Sequence, residues 1–347
     1  MKKLLFAVVV LAFAANVFAQ WTQSTTGSGA NLNDVWFGDA QNGFIVGNGG
    51  YILKTTDGGQ SWSDPLDNPA KTADENIVGL DMLDDQNGMA ACNGAIIIMT
   101  TDGGETWTQL TSGTESSLID VDVVDAQVAY VAGESGTILK TTDGGANWTP
   151  QDSKMSGDIR TIKFADADHG IAGGKNAYVS ITSDGGATWD TVQVADYAEK
   201  TFRGIHIFDT QNAIAVGDGG AMKTADGGAT WETVTVPTSQ KLTNICFFDA
   251  LFGVIVGQKG TVLTTTDGGA TWTEEDDGDT GSKLQNAYMF DANTIIVVGK
   301  GDVILQKGSP ASAVAQNSTN APARFELGQN YPNPFNPTTM IPFTLEQ

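Results

Sequence analysis

Thr265-Thr-Asp267-Gly-Gly-Ala-Thr-Trp272 is one of six copies of a Thr-x-Asp-Gly-Gly-x-x-Trp string in this chain. Its aspartates are Asp57, Asp102, Asp143, Asp184, Asp226 and Asp267. Each is followed five residues later by a tryptophan: Trp62, Trp107, Trp148, Trp189, Trp231 and Trp272. Successive copies lie 41 to 45 residues apart, and recurrence at a near-fixed period marks a repeat architecture. A second column occurs seven times, an apolar run that ends in Asp39, Asp84, Asp125, Asp166, Asp209, Asp249 or Asp291. Aligning on it recovers three alternating strands before each Asp-Gly-Gly turn. In the first repeat these are Leu32–Phe37, Phe44–Gly47 and Tyr51–Thr55, with a fourth strand expected to begin at the Trp. Four short strands per period of about 42 residues describe one blade of a β-propeller.

The seventh repeat, with strands expected at Leu284–Phe290, Thr294–Gly299 and Val303–Gln306, has no Asp-Gly-Gly turn and no Trp. Trp21-Thr-Gln-Ser-Thr25 reads as an orphan fourth strand. It is expected to pair with the last blade and close the ring, which removes an open sheet edge. The fold class that follows is all-β, a seven-bladed propeller over residues 20–307.

The ends read differently. Lys2 and Lys3, the apolar Leu4–Ala15 run and Val17-Phe-Ala19 form a secretory leader over residues 1–19. Residues 308–323 are small, polar and proline-containing, as in a flexible linker. Residues 324–347 hold the string Gln329-Asn-Tyr-Pro-Asn-Pro-Phe-Asn-Pro-Thr-Thr339, whose prolines forbid a helix. The alternation after Thr339 suits a strand. This segment resembles the start of the C-terminal sorting domain of type IX secretion substrates, here shorter than in that family. The resemblance implies export through the periplasm to a secreted or cell-surface location, with the type IX machinery as a partner.

The 347 residues carry 18 Lys+Arg against 41 Asp+Glu, a net charge of -23. That balance excludes a nucleic-acid binder, which needs clustered cations. The Asp-Gly-Gly aspartates are expected to bridge their own turns, because a single carboxylate falls short of the six to eight oxygens calcium prefers. The strand-end aspartates read as turn caps of the same kind. Cys92 and Cys246 fall in repeats two and six, too far apart around a ring for a disulfide, so two buried free thiols are expected. Only two histidines, His169 and His206, are present, which supports no histidine zinc site. No metal and no cofactor is expected.

The repeated turn resembles the Asp-box of neuraminidase repeats. Together with the Leu-x-x-Val-x-Phe-x-Asp inner strands and hairpins such as Val46-Gly-Asn-Gly-Gly50, it resembles the photosystem II assembly/stability factor-like repeat family. A sialidase would imply three arginines around the substrate carboxylate. The chain holds Arg160, Arg203 and Arg324, and the last lies past the linker, so that activity is not expected. Asp34, Asp81, Asp120 and Asp122 fall on inner strands, either as solvated acids or as a carboxylate pair for glycoside hydrolysis. Repeats four and five instead carry Arg160, Lys163, Arg203 and His206 on theirs. These four are the candidate ligand-binding residues, for an anion or carboxylate; the plainer expectation is that each arginine pairs with a nearby acid. The function expected is non-enzymatic binding of protein or carbohydrate by a monomer. A polysaccharide hydrolase and an assembly factor for a membrane complex are the alternatives.

Overall fold

The structure, a computed structural model, describes residues 21–276, 280–308, 324–327 and 343–346. Seven antiparallel sheets follow one another along the chain. Their innermost strands are Leu32–Phe37, Ile77–Met82, Leu118–Val123, Ile159–Phe164, Phe202–Ile207, Leu242–Phe247 and Leu284–Asp291. Each runs outward through its hairpins to the rim. Blade 7 is completed by Trp21–Ser24, which pairs antiparallel with Val303–Lys307 in the register Trp21↔Lys307 to Ser24↔Ile304. Asp302 fastens the chain that follows, accepting from the Thr26 hydroxyl at 2.6 Å, the Thr26 N–H at 3.1 Å and the Gly29 N–H at 3.1 Å. The ring is thus closed by its first strand, as the orphan segment predicts.

The core is divided into seven parts, one between each pair of adjacent blades. The Asp-box tryptophans belong to these interfaces rather than to the outer strands. Trp107 of blade 2 packs edge-on against Phe44 of blade 1, with ring centroids 6.4 Å apart. Trp189 of blade 4 lies in one core with Tyr130 of blade 3 and packs edge-on against Phe164 of its own blade, with ring centroids 6.0 Å apart. The interface of blades 6 and 7 has no Asp-box Trp to receive, and Trp21 packs there instead. The N-terminal strand therefore supplies both a missing strand and a missing wedge.

The Asp-box turns are closed hydrogen-bond circuits. In blade 6, Asp267 Oδ1 accepts from Thr265 Oγ1 at 2.8 Å and from Thr271 N–H at 2.9 Å. Its Oδ2 accepts from Thr271 Oγ1 at 2.6 Å, while Thr265 Oγ1 accepts from Gly269 N–H at 3.0 Å. These bonds hold the Asp267 carboxyl down at a pKa of about 2. The turn needs φ near +83° at Gly269, a conformation that favours glycine. Strand-end aspartates cap their turns likewise: Asp39 Oδ1 accepts from Gln41 N–H at 2.6 Å and Asn42 N–H at 2.7 Å.

Two expectations need correction. Blade 1 has three strands and no regular fourth. Pro65 and Pro69 interrupt the segment, each lacking a donor for the ladder. Ser63 N–H and Leu66 N–H instead bond the Lys54 and Ile52 carbonyls, each at 2.9 Å, before a short helix, Pro69–Thr72. In blades 2 to 6 the fourth strand starts after the Trp, not at it, as at Thr108–Thr111. Residues 1–19 and the linker lie outside the described residues, except for Gly308. Ala311–Gln347 forms a separate unit. Its described part is a hairpin in which Arg324–Leu327 pairs with Phe343–Glu346; only the second of these strands was predicted.

Candidate functional site

All seven inner strands share an irregularity that the hairpin pattern alone does not reveal. The register with the second strand shifts near the start of each one. The bypassed residues are Asn33, Val78, Ile119, Arg160, Arg203, Thr243 and Gln285. A bulge admits one extra residue and re-aims the side chains around it. Here the first residue of every inner strand, from Leu32 to Leu284, is fully buried in the core. The next two residues therefore fall together on the channel side. Arg160 and Arg203 are both bulge residues, and both line the central cavity of about 550 Å³.

Around this mouth the cations outnumber the acids. Asp158 Oδ2 receives Arg160 Nη2 and Lys175 Nζ, each at 2.6 Å. Asp218 receives Arg203 Nε at 2.7 Å and Lys241 Nζ at 3.0 Å. Opposite charges and hydrogen bonds hold both aspartates below the usual carboxylate range against the desolvation that opposes them. Lys283 lines the same cavity. Its backbone carbonyl accepts from Lys300 N–H at 2.9 Å, which sets the two lysines side by side. Neither ammonium lies within ion-pair distance of a carboxylate among the described residues. Glu134 stands in blade 3 where Lys175, Asp218 and Lys300 stand in blades 4, 5 and 7, so six cations face three acids in a strongly acidic chain.

Deeper in the channel the balance reverses. Lys163 Nζ lies 3.3 Å from Asp122 Oδ1, 3.8 Å from Asp120 Oδ1 and 3.3 Å from the Val121 carbonyl it bonds. The four inner-strand aspartates are neither solvated nor arranged as an open pair. Each clamps the next blade through a backbone N–H. Leu80 N–H donates to Asp34 at 2.9 Å, Val123 N–H to Asp81 at 2.7 Å, Ile162 N–H to Asp120 at 2.9 Å and Phe164 N–H to Asp122 at 3.0 Å. Asn286 also donates to Asp34 across the blade 7 interface. The physical reason is that the bulged inner strands would otherwise bury these N–H groups unpaired. Desolvation raises Asp34 and Asp81 to about 7 and raises Asp122 as well; Lys163 opposes it at all three.

The four candidate ligand residues therefore share one cavity but separate into two pairs. Arg160 and Arg203 sit at the mouth. Lys163 is engaged by aspartates, and His206 packs between Phe208 and Phe247 at centroid distances of 4.8 and 4.9 Å. Burial, with Lys163 nearby, lowers His206 to about 4, so it is neutral near pH 7 and adds no charge. The residues that sequence reasoning missed are Lys175, Lys241, Lys283 and Lys300. A usable signal was present, because Lys241-Leu242 and Lys283-Leu284 occupy the same place before successive inner strands. Both cysteines are free, but only Cys92 is buried; Cys246 is half-buried and lines the channel. Burial raises their thiols to about 12 and about 11.

With this geometry in hand, the comparisons with known proteins are specific. The family described as photosynthesis system II assembly factor YCF48 matches residues 13–113, 107–232 and 229–314. The chain belongs to that YCF48 family. Among solved structures, "YCF48 bound to D1 peptide" is 19% identical and superposes with a TM-score of 0.70, covering 87% of this chain and 99% of that one. YCF48 from Cyanidioschyzon merolae is 19% identical with a TM-score of 0.68, covering 85% of this chain and 100% of that one. The virginiamycin B lyase of Staphylococcus aureus is 13% identical with a TM-score of 0.70, covering 83% of this chain and 98% of that one. At such identities these likenesses establish the fold alone. No curated protein matches the chain.

Proposed function

We propose that this YCF48-family propeller is a non-enzymatic binding protein that receives an acidic segment of a partner protein at the basic mouth of its channel. The carrying observation is the excess of cations there. Arg160 and Arg203 each spend one donor on an acid, and a guanidinium has five. A carboxylate at the mouth could be held by both forks at once. A family of assembly factors and a solved relative described with a bound peptide support a protein as the partner. We place this activity outside the cytoplasm, at the cell surface or beyond it, on the strength of the leader-like residues 1–19 and the sorting-like segment 324–347.

The test is titration of the purified chain with acidic peptides and with matched peptides whose Asp and Glu are replaced by Asn and Gln. The acidic set binds, and R160A/R203A weakens it by about ten-fold or more. Unchanged affinity in the double variant, with the fold intact by circular dichroism, overturns the reading.

A further inference from the structure

Lys283 and Lys300 differ from the other cations of the mouth, and of the two only Lys283 is partly buried. Arg160, Lys175, Arg203 and Lys241 each hold an aspartate. Lys283 is partly buried against the channel wall, is tied through its backbone to Lys300, and makes no ion pair among the described residues. An ammonium withdrawn from water and set among like charges is disfavoured relative to its neutral amine. Burial and then Arg203, Lys300 and Arg160 push Lys283 down to about 8, with Asp218 opposing. A desolvated lysine beside other cations is one of the standard forms of an activated amine nucleophile. Beside it, Arg160 and Arg203 keep donors that can hold an anion.

We propose that Lys283 is a nucleophilic amine that captures carbonyl compounds bearing a carboxylate, such as α-oxo acids and aldehyde acids, as Schiff bases at the channel mouth. The neutral amine attacks the carbonyl carbon and forms the C–N bond. The C=O π pair moves to oxygen, which gains the proton that nitrogen loses. The carbinolamine hydroxyl then takes up a proton from solvent and leaves as water while the nitrogen lone pair closes the C=N bond, giving the protonated Schiff base. No oxidant or reductant is consumed. The arginines orient the substrate by its carboxylate, and the site accepts the carbonyl end of the same molecule. This goes beyond docking of a partner protein, although both use the same two arginines.

The experiment treats the full chain with glyoxylate and cyanoborohydride near pH 7.5 and maps the reduced adducts by peptide mass spectrometry. An ordinary lysine is below about 1% free amine at that pH, so Lys283 is labelled about ten-fold or more above the mean of the other lysines. Propionaldehyde, uncharged and of similar size, shows a clearly smaller preference. K283R, which keeps the charge, loses this adduct and leaves the others in place. R160A/R203A removes the advantage of glyoxylate over propionaldehyde. Even labelling of all lysines, or equal preference for the two aldehydes, overturns the proposal. Acidic-peptide titration on the same preparation separates the two readings. Labelling without peptide binding sinks only the partner reading, and peptide binding without labelling sinks only this one.

Discussion

Arg160 and Lys163 stand three residues apart on one strand, roughly 10 Å along the channel wall. They occupy opposite electrical settings. At the mouth, cations exceed acids and the acids are held ionised. At mid-channel, four aspartates clamp neighbouring blades around a single ammonium, and three of them are driven toward protonation. The same fold element therefore carries a surface free to recognise a ligand and, one turn of the pleat deeper, a polar girdle committed to holding the ring together. The difference arises from who satisfies whom. The mid-channel carboxylates are used up by backbone N–H groups of the next blade, whereas the arginines keep donors in reserve.

The sharpest way to break this contrast is Lys163→Met. It leaves buried carboxylates without their counter-charge and should destabilise the protein by about 2–3 kcal/mol, the lower end for a buried pair because a third of the lysine side chain stays exposed. Urea denaturation measures it; a loss below 0.5 kcal/mol, as an order-of-magnitude threshold, would falsify the girdle.

The next effect is in pH. Asp34 and Asp81 titrate near 7 in the folded protein, above the roughly 3.9 of an unfolded aspartate. The native state thus binds more protons than the unfolded one between about pH 4 and 7, so stability falls as pH rises through that window. From pH 5 to 8 each such acid should remove about 2.5 kcal/mol. Asp34→Asn keeps an acceptor for Leu80 and should flatten its share of the slope. An unaltered slope in that variant would assign the pH dependence to the net charge instead. The Asp-box carboxylates, depressed as at Asp267, act in the other direction, and their contribution disappears below about pH 4 as they protonate.

The mouth should respond least in stability and most in binding. Arg203→Ala leaves Asp218 still paired with Lys241, so a change of no more than about 1 kcal/mol is expected for this partly exposed pair. Raising salt from about 50 to about 200 mM should weaken acidic-peptide binding while hardly moving the urea midpoint. A midpoint that falls with salt as steeply as the affinity would erase the distinction between the two levels.

Much of this is legible in the sequence. The Asp-Gly-Gly turns fixed the period, and Trp21 was readable as the missing outer strand because a repeat without its Trp and a Trp without its repeat stand at opposite ends of the chain. The arginines were legible by alignment. The bulge was not read, although the Leu-x-x-Val-x-Phe spacing contains it. A strand with strict period two cannot bury both its first and fourth residues on one face. Without the bulge, Asp34, Asp81, Asp120 and Asp122 read as solvated acids or an open carboxylate pair, whereas they accept from backbone N–H groups of the next blade. Blade 1 lost its fourth strand to two prolines that the repeat alignment passed over. The place of Lys283 before an inner strand was legible by alignment with Lys241, but its surroundings were not, because they come from blades far apart in sequence.

The clasp between Trp21–Ser24 and Val303–Lys307 has a mechanical consequence. Trp21 pairs with Lys307, so the incoming and outgoing chain leave the ring at the same end of one ladder. A load applied between the two termini opens that ladder rung by rung instead of shearing it all at once. A load applied at the C-terminal side alone leaves the rungs unstretched. In a two-ended pulling experiment the N-terminal strand should detach first and at low force; a first event that releases a whole blade would contradict this. Held by one end, the ring can be tugged without being opened.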